Sequence, residues 1–267
     1  MGSDADETKQ TSAPPSEGPA RASNWTDDWG RRALHWGAWA GVTGPILLII
    51  YFAVPALAGW PYAGASPHQL ISYANSHTLL FYAGGWLQAT GATLSILFFL
   101  TLLNHSGTAR QMAGLVTLVG CAVLLAVVLI EAAFLEAVPA AAHAKDPATV
   151  ATAFALSNGV FARIFPLAPA PLLFIGIGYA LRPSVLHKQY ANSAKIVAAL
   201  FVVAGIAAVF GTPGLIFAIV MSVVQALWIL TAAVALGVSS RRTRQALGNA
   251  SHRPPRATAH PQAPNGG

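Results

Sequence analysis

Six long apolar stretches, near residues 36–57, 78–103, 111–134, 164–181, 194–210 and 215–238, constrain this chain more than any other feature. Each is close to the roughly 20 residues that a helix needs to cross the hydrocarbon core of a bilayer. Composition points the same way: 55% of the residues are hydrophobic and 9% are charged, against roughly a quarter charged in soluble domains. That balance excludes a water-soluble globule, and it excludes chain-wide disorder, which needs low hydrophobicity and high charge. The expected fold class is all-α, a polytopic membrane bundle with six transmembrane helices. A signal peptide is the competing reading of the first stretch, because Arg31-Arg32, an apolar run and Ala56-Leu57-Ala58 imitate one. The long acidic leader and five further stretches argue against it.

The chain divides into three parts. Residues 1–24 and 249–267 are low in apolar residues and rich in Ser, Pro, Gly and charge, and are expected to be disordered tails. Residues 25–248 form the membrane domain. Basic residues predict its orientation. Of the 15 Lys and Arg, all but Lys145 and Arg163 fall before span one, between spans two and three, between four and five, or after six. Both termini are therefore expected on the cytoplasmic side. Two short outer-surface helices are predicted as well. One starts at Ser66-Pro67 before span two. The other, over 148–162, starts at Asp146-Pro147 before span four, an acidic cap followed by Pro in the first turn. Pro166, Pro169 and Pro171 predict a kinked fourth span.

Ionisable groups inside a membrane are costly and mark function by default. Glu131 lies 21 residues after Arg110 and Arg163 lies 19 before Arg182, about 31 and 28 Å at 1.5 Å per residue. If Arg110 and Arg182 share the inner interface, Glu131 and Arg163 share the outer one. They are expected to pair, either as a structural clasp or as a gate and anchor for an anionic substrate. Gln88 and Gln225 fall about midway along spans two and six, with Thr90, Thr93 and Ser222 nearby. They are read either as interhelical hydrogen bonding or as the lining of a pocket. With no Asp, Glu, Lys or His expected at mid-depth, that pocket is expected to be neutral.

Several chemistries lack their residues. The one cysteine, Cys121, excludes a disulfide framework, a Cys-based zinc site and an iron–sulfur cluster. His68, His77 and His143 map to the outer side but in no spacing that sets two ligands on one helical face, so no metal site is expected. The other five histidines lie at the inner edge or in the tail, which disfavours haem. No cofactor is implied. The tail SSRRTRQALGNASHRPPR is read as attracting anionic lipids rather than nucleic acid. Trp25, Trp29, Trp36 and Trp39 inside, with Trp60 and Tyr62 outside, are expected as interfacial anchors.

The segments SPHQLISYANSHTLLFYAGGWLQATGATLSILFFLTLL (66–103) and ATAFALSNGVFARIFPLA (151–168) resemble a group of uncharacterised bacterial six-helix integral membrane proteins. The likeness covers most of the membrane domain and neither tail. It implies six spans and a bacterial plasma membrane, and carries no activity. Three function classes stay open. One is binding or transport of a small apolar molecule or lipid at Gln88 and Gln225, with Glu131 and Arg163 at the outer mouth. Another is a non-catalytic scaffold or accessory subunit. The third is an outer-leaflet enzyme using Glu136, His77 or His143, for which no catalytic set of nucleophile, base and orienting group is found. Kinked spans and midway glutamines coincide, which favours the first.

Overall fold

A computed structural model describes residues 20–61, 64–183 and 186–251, with side chains described for 30, 32–61, 64–183 and 186–239. The tails lie outside this range except for 20–24 and 249–251, which are helical; Tyr62 and the side chains of Trp25 and Trp29 also lie outside it. The described chain is all helix. In order come α1 (Ala20–Leu57), α2 (Pro67–Ser76), α3 (Thr78–Ser106), α4 (Met112–His143) and α5 (Pro147–Gly159). A π-helical turn (Val160–Ile164), α6 (Phe165–Leu167), α7 (Pro169–Ala180), α8 (Lys188–Ala207), a 3₁₀ turn (Ala208–Phe210) and α9 (Thr212–Ser251) follow. Among the described residues, six helical rods are long and apolar enough to cross a membrane. The protein is a multi-pass integral membrane protein.

The rods form a closed ring. α1 packs on α3, α3 on α4, α4 on α7, α7 on α8 and α8 on α9, and α9 returns to α1. Successive rods are antiparallel, so α1 and α9 place the chain ends at one end of the bundle. At the other end α4 and the fourth rod are longer than a bilayer core requires. They span 32 and 34 residues, about 48 and 51 Å at 1.5 Å per residue, against a core of ~30 Å. The excess packs with α2 into a cap in which Leu70, Phe81, Leu135, Val138, Val150 and Phe154 are buried. Trp60, expected as a lipid anchor, is half-buried there instead, its ring 5.1 Å from Phe81 and 5.8 Å from Phe154. Nearer the chain ends the ring is filled by Phe99, Phe174, Phe201 and Trp228, with Trp228 Nε1 donating to Ser193 Oγ at 2.9 Å.

Local chemistry sets the element boundaries. Ser66 caps α2 with a reciprocal pair: Gln69 N–H donates to Ser66 Oγ, and Ser66 N–H donates to Gln69 Oε1 at 2.9 Å. α5, the short helix expected before span four, is continuous with that span through the π turn. Pro166 and Pro169 have no N–H, so the carbonyls of Ala162 and Phe165 lose their usual donors four residues on. The chain accommodates this with the wider π turn and a break at Ala168, where φ is −120° and ψ is −71°. α1 and α3 approach closely at Gly44 and Gly91. A methyl group on Gly44 would stand 2.7 Å from the Gly91 carbonyl oxygen, and no side chain can yield there because the obstacle is backbone.

Two outcomes follow. Gly44→Ala should destabilise the bundle by about 1–3 kcal/mol, the usual cost of overpacking, measured by unfolding in mixed micelles. The second concerns Asp146, whose Oδ1 accepts from the N–H of Ala148 and Thr149, each at 3.1 Å. The Thr149 hydroxyl also donates to its Oδ2, and this bond leads in holding the carboxyl below its ordinary value. A lowered folded-state pKa gives stability that is complete above the unfolded value, near 3.9, and is lost as pH falls through the folded value. Between pH 6 and pH 3 the wild type should lose melting temperature that Asp146→Asn, an uncharged capping residue, does not.

Candidate functional site

Between the aromatic filling and the cap, the ring axis is hollow. A cavity of about 40 Å³ is lined by residues of α1, α3, α4, α6, α9 and the π turn. Its apolar wall includes Leu48, Phe52, Leu124, Val128, Phe161 and Phe165, and its polar wall is Gln88, Ser95, Glu131, Ser222 and Gln225. All five polar residues are buried. They meet because they lie at matched depth from the capped end. Gln88 is ten residues from Thr78, Gln225 thirteen from Thr212 and Glu131 twelve from His143, each about 15–20 Å along its helix.

Glu131 is 3% exposed. Its Oε1 accepts from Ser157 Oγ of α5 at 3.0 Å and from the Tyr51 hydroxyl of α1 at 3.3 Å. Its Oε2 is buried with no hydrogen-bond partner among the described residues, and the same holds for Gln88 Oε1 and Gln225 Oε1. The serines are oriented differently. Ser95 Oγ donates to the Gly91 carbonyl at 2.8 Å and Ser222 Oγ to the Ala218 carbonyl at 2.9 Å, so each keeps its hydroxyl proton on its own helix and leaves lone pairs free. A buried polar atom without a partner is uncommon in folded proteins. Three such atoms belong to residues lining this one cavity.

A second cavity, of about 120 Å³, lies on the capped side and is lined by Tyr51, Pro55, Trp60, Leu135, Ser157 and Asn158, among others. Glu131, Phe52 and Phe161 line both cavities. These three side chains therefore stand as the partition between them, with the Phe52 and Phe161 rings 5.5 Å apart.

Three expectations change. Arg163 does not pair with Glu131: it is exposed, lies in the π turn, and has no ion pair among the described residues. The hairpin explains why. Around the turn at 144–146, Glu131 is 14 residues before Lys145 and Ser157 is 12 after it, so these two face each other; Arg163 is 18 after it and overshoots. The central pocket is not without an ionisable group, because Glu131 shares it with Gln88 and Gln225. Counting from Arg110 had set Glu131 at the far interface, but α4 continues for twelve residues beyond it. Tyr51 and Ser157 were not singled out from sequence. The similar spacing of Glu131 and Ser157 about the turn, 14 and 12 residues from Lys145, was the available signal for one of them.

The histidines expected on the outer side stay apart. His77 is stacked on Tyr73, His143 bonds through Nδ1 to the Pro139 carbonyl, and His68 is exposed. Among the described residues no three His, Cys, Asp or Glu side chains are grouped as metal ligands would be. The chain matches no protein-family model, no curated protein and no solved structure.

The partner assignment can be checked directly. Ser157→Ala should cost about 1–3 kcal/mol, because it strips a donor from a buried carboxyl group. Arg163→Gln should stay within about 0.5 kcal/mol of wild type, as for a surface position. Unfolding in mixed micelles reads both.

Proposed function

We propose that this protein binds, and in a transport cycle passes, a small polar solute at the cavity formed by Gln88, Glu131 and Gln225. The observation that carries this reading is the set of three unpartnered buried oxygens on residues that line one hollow. The expected apolar molecule or lipid would leave all three unpaired, and a cavity of about 40 Å³ holds only a few water-sized groups. The solute therefore carries hydrogen-bond donors or positive charge. Access is from the capped end, past the Phe52–Phe161 pair. Arg163 is outside the binding set in this reading.

The positive-inside distribution and the resemblance of segments 66–103 and 151–168 to bacterial six-helix proteins support a bacterial plasma membrane with both termini cytoplasmic. The capped end is then the outer face. The basic C-terminal tail adds attraction to anionic lipid headgroups. One feature favours the alternative of an accessory subunit that holds its ligand without passing it: Phe99, Phe174, Phe201 and Trp228 fill the ring on the far side of the cavity. Transport requires that this aromatic filling open.

Substituted-cysteine labelling tests the reading. In a Cys121→Ala background, a small water-soluble methanethiosulfonate should modify Ser95→Cys in membranes when added from the capped side. Failure to label Ser95→Cys, while the exposed Leu57→Cys reacts with the same reagent, would mean that the hollow is sealed packing space.

A further inference from the structure

The polar lining of the cavity is rich in oxygen and carries no cationic side chain. Glu131 contributes a carboxyl group, Gln88 and Gln225 contribute amide oxygens without partners, and Ser95 and Ser222 contribute hydroxyl oxygens whose protons are already engaged on their own helices. No Lys, Arg or His lines the hollow. No cationic side chain opposes Glu131, and each glutamine can present either its amide oxygen or its NH₂ group to the hollow. An anion would meet the Glu131 carboxyl group and the serine oxygens, with only the two amide NH₂ groups to donate to it. Turning either amide end for end exchanges its oxygen for an NH₂ group, but leaves the carboxyl group and both hydroxyl oxygens as they are.

The carboxyl group of Glu131 narrows the occupant further. A carboxyl group enclosed in a helix bundle is ionised where a positive charge neutralises it and otherwise holds its proton. Tyr51 and Ser157 both donate to Oε1 and neither carries charge, while Oε2 has no partner among the described residues. Oxygen ligands of this kind, one carboxylate with neutral carbonyl and hydroxyl oxygens, suit hard cations of low charge. The small volume excludes organic cations such as choline, since it holds only a few water-sized groups.

We propose that the cavity binds a small monovalent cation, held by Glu131 Oε2 with the Gln88 and Gln225 side-chain oxygens. The inference rests on the reading of this cavity as the functional site, and it names the class of solute. Glu131 has two tasks: Oε1 is fixed by donors from α1 and α5, and Oε2 meets the ion. Phe52 and Phe161 are the apolar partition that an arriving ion must pass. Because Tyr51 and Ser157 line the upper cavity and bond to the carboxyl group that closes the lower one, occupancy of the site is coupled to the packing of α1 and α5 on α4.

Melting temperature of the full chain in detergent tests this, in choline chloride and in NaCl, KCl or NH₄Cl at equal chloride and ionic strength. At least one of the three small cations should raise the melting temperature saturably, by several degrees over choline. The shift should vanish in Glu131→Gln and persist in Glu136→Gln, which alters an exposed carboxylate on the same helix. No cation-specific shift in the wild type, or an equal shift in Glu131→Gln, overturns the proposal. Should Glu131→Gln fail to fold, Gln225→Leu decides: a tenfold or greater rise in the half-saturating cation concentration supports the site, and an unchanged value overturns it. If Ser95→Cys labels but no cation stabilises the wild type, the cavity is a solute site for a neutral donor and only the cation assignment falls. If neither occurs, both readings fall.

Discussion

A carboxyl group enclosed by lipid-facing helices must be given partners, and the position of Glu131 organises the middle of this bundle. Its Oε1 draws a hydroxyl from α1 and another from α5. The first rod, the third rod and the top of the fourth are thereby tied at one level. Losing either donor leaves a buried acceptor worse satisfied, with a penalty larger than the average net worth of a hydrogen bond. The tie also sits where the cap gives way to the hollow: Leu135 and Val138 above Glu131 belong to the cap, while Val128 and Leu124 below it belong to the main core. One residue marks the boundary between two separately packed regions.

The backbone imposes the second constraint. Inside hydrocarbon each carbonyl needs a donor, and prolines remove donors. Pro166 and Pro169 interrupt the fourth rod just beyond its contact with Glu131, and the π turn that answers them supplies Val160 and Phe161 to the cavity wall. π turns inside helices recur at functional sites because they displace side chains from the regular helical register. From this turn Arg163 faces the surface and Phe161 stands in the partition. The closed ring then does the rest, since five of the six rods reach the cavity and only α8 packs behind.

Much of this architecture is legible in the residues. Apolar length fixes six rods, Ser66 and Asp146 mark the starts of α2 and α5, and the depth of Gln88 and Gln225 places them together. The failure concerns Glu131, and its cause is a ruler applied from the wrong end. Counting 1.5 Å per residue from a basic interface assumes that a helix stops where the bilayer does. α4 and the fourth rod instead continue into a cap. A hairpin is better measured from its turn, which pairs Glu131 with Ser157 and leaves Arg163 out. Which way a side chain faces around the helix axis was beyond the sequence, because the fourth rod changes its residues per turn at 160–164.

The central claim is that the hollow bounded by Glu131, Gln88 and Gln225 is an occupied polar site and not a packing void. The most direct measurement is an experimental density map of the protein crystallised in thallium(I), a heavy monovalent cation whose anomalous signal locates it independently of the model phases. The account predicts a peak on the ring axis within coordinating distance of Glu131 Oε2 and at least one of the two glutamine side chains. An axis without anomalous density, with both amides turned to hydrogen-bond partners on neighbouring helices, would contradict it.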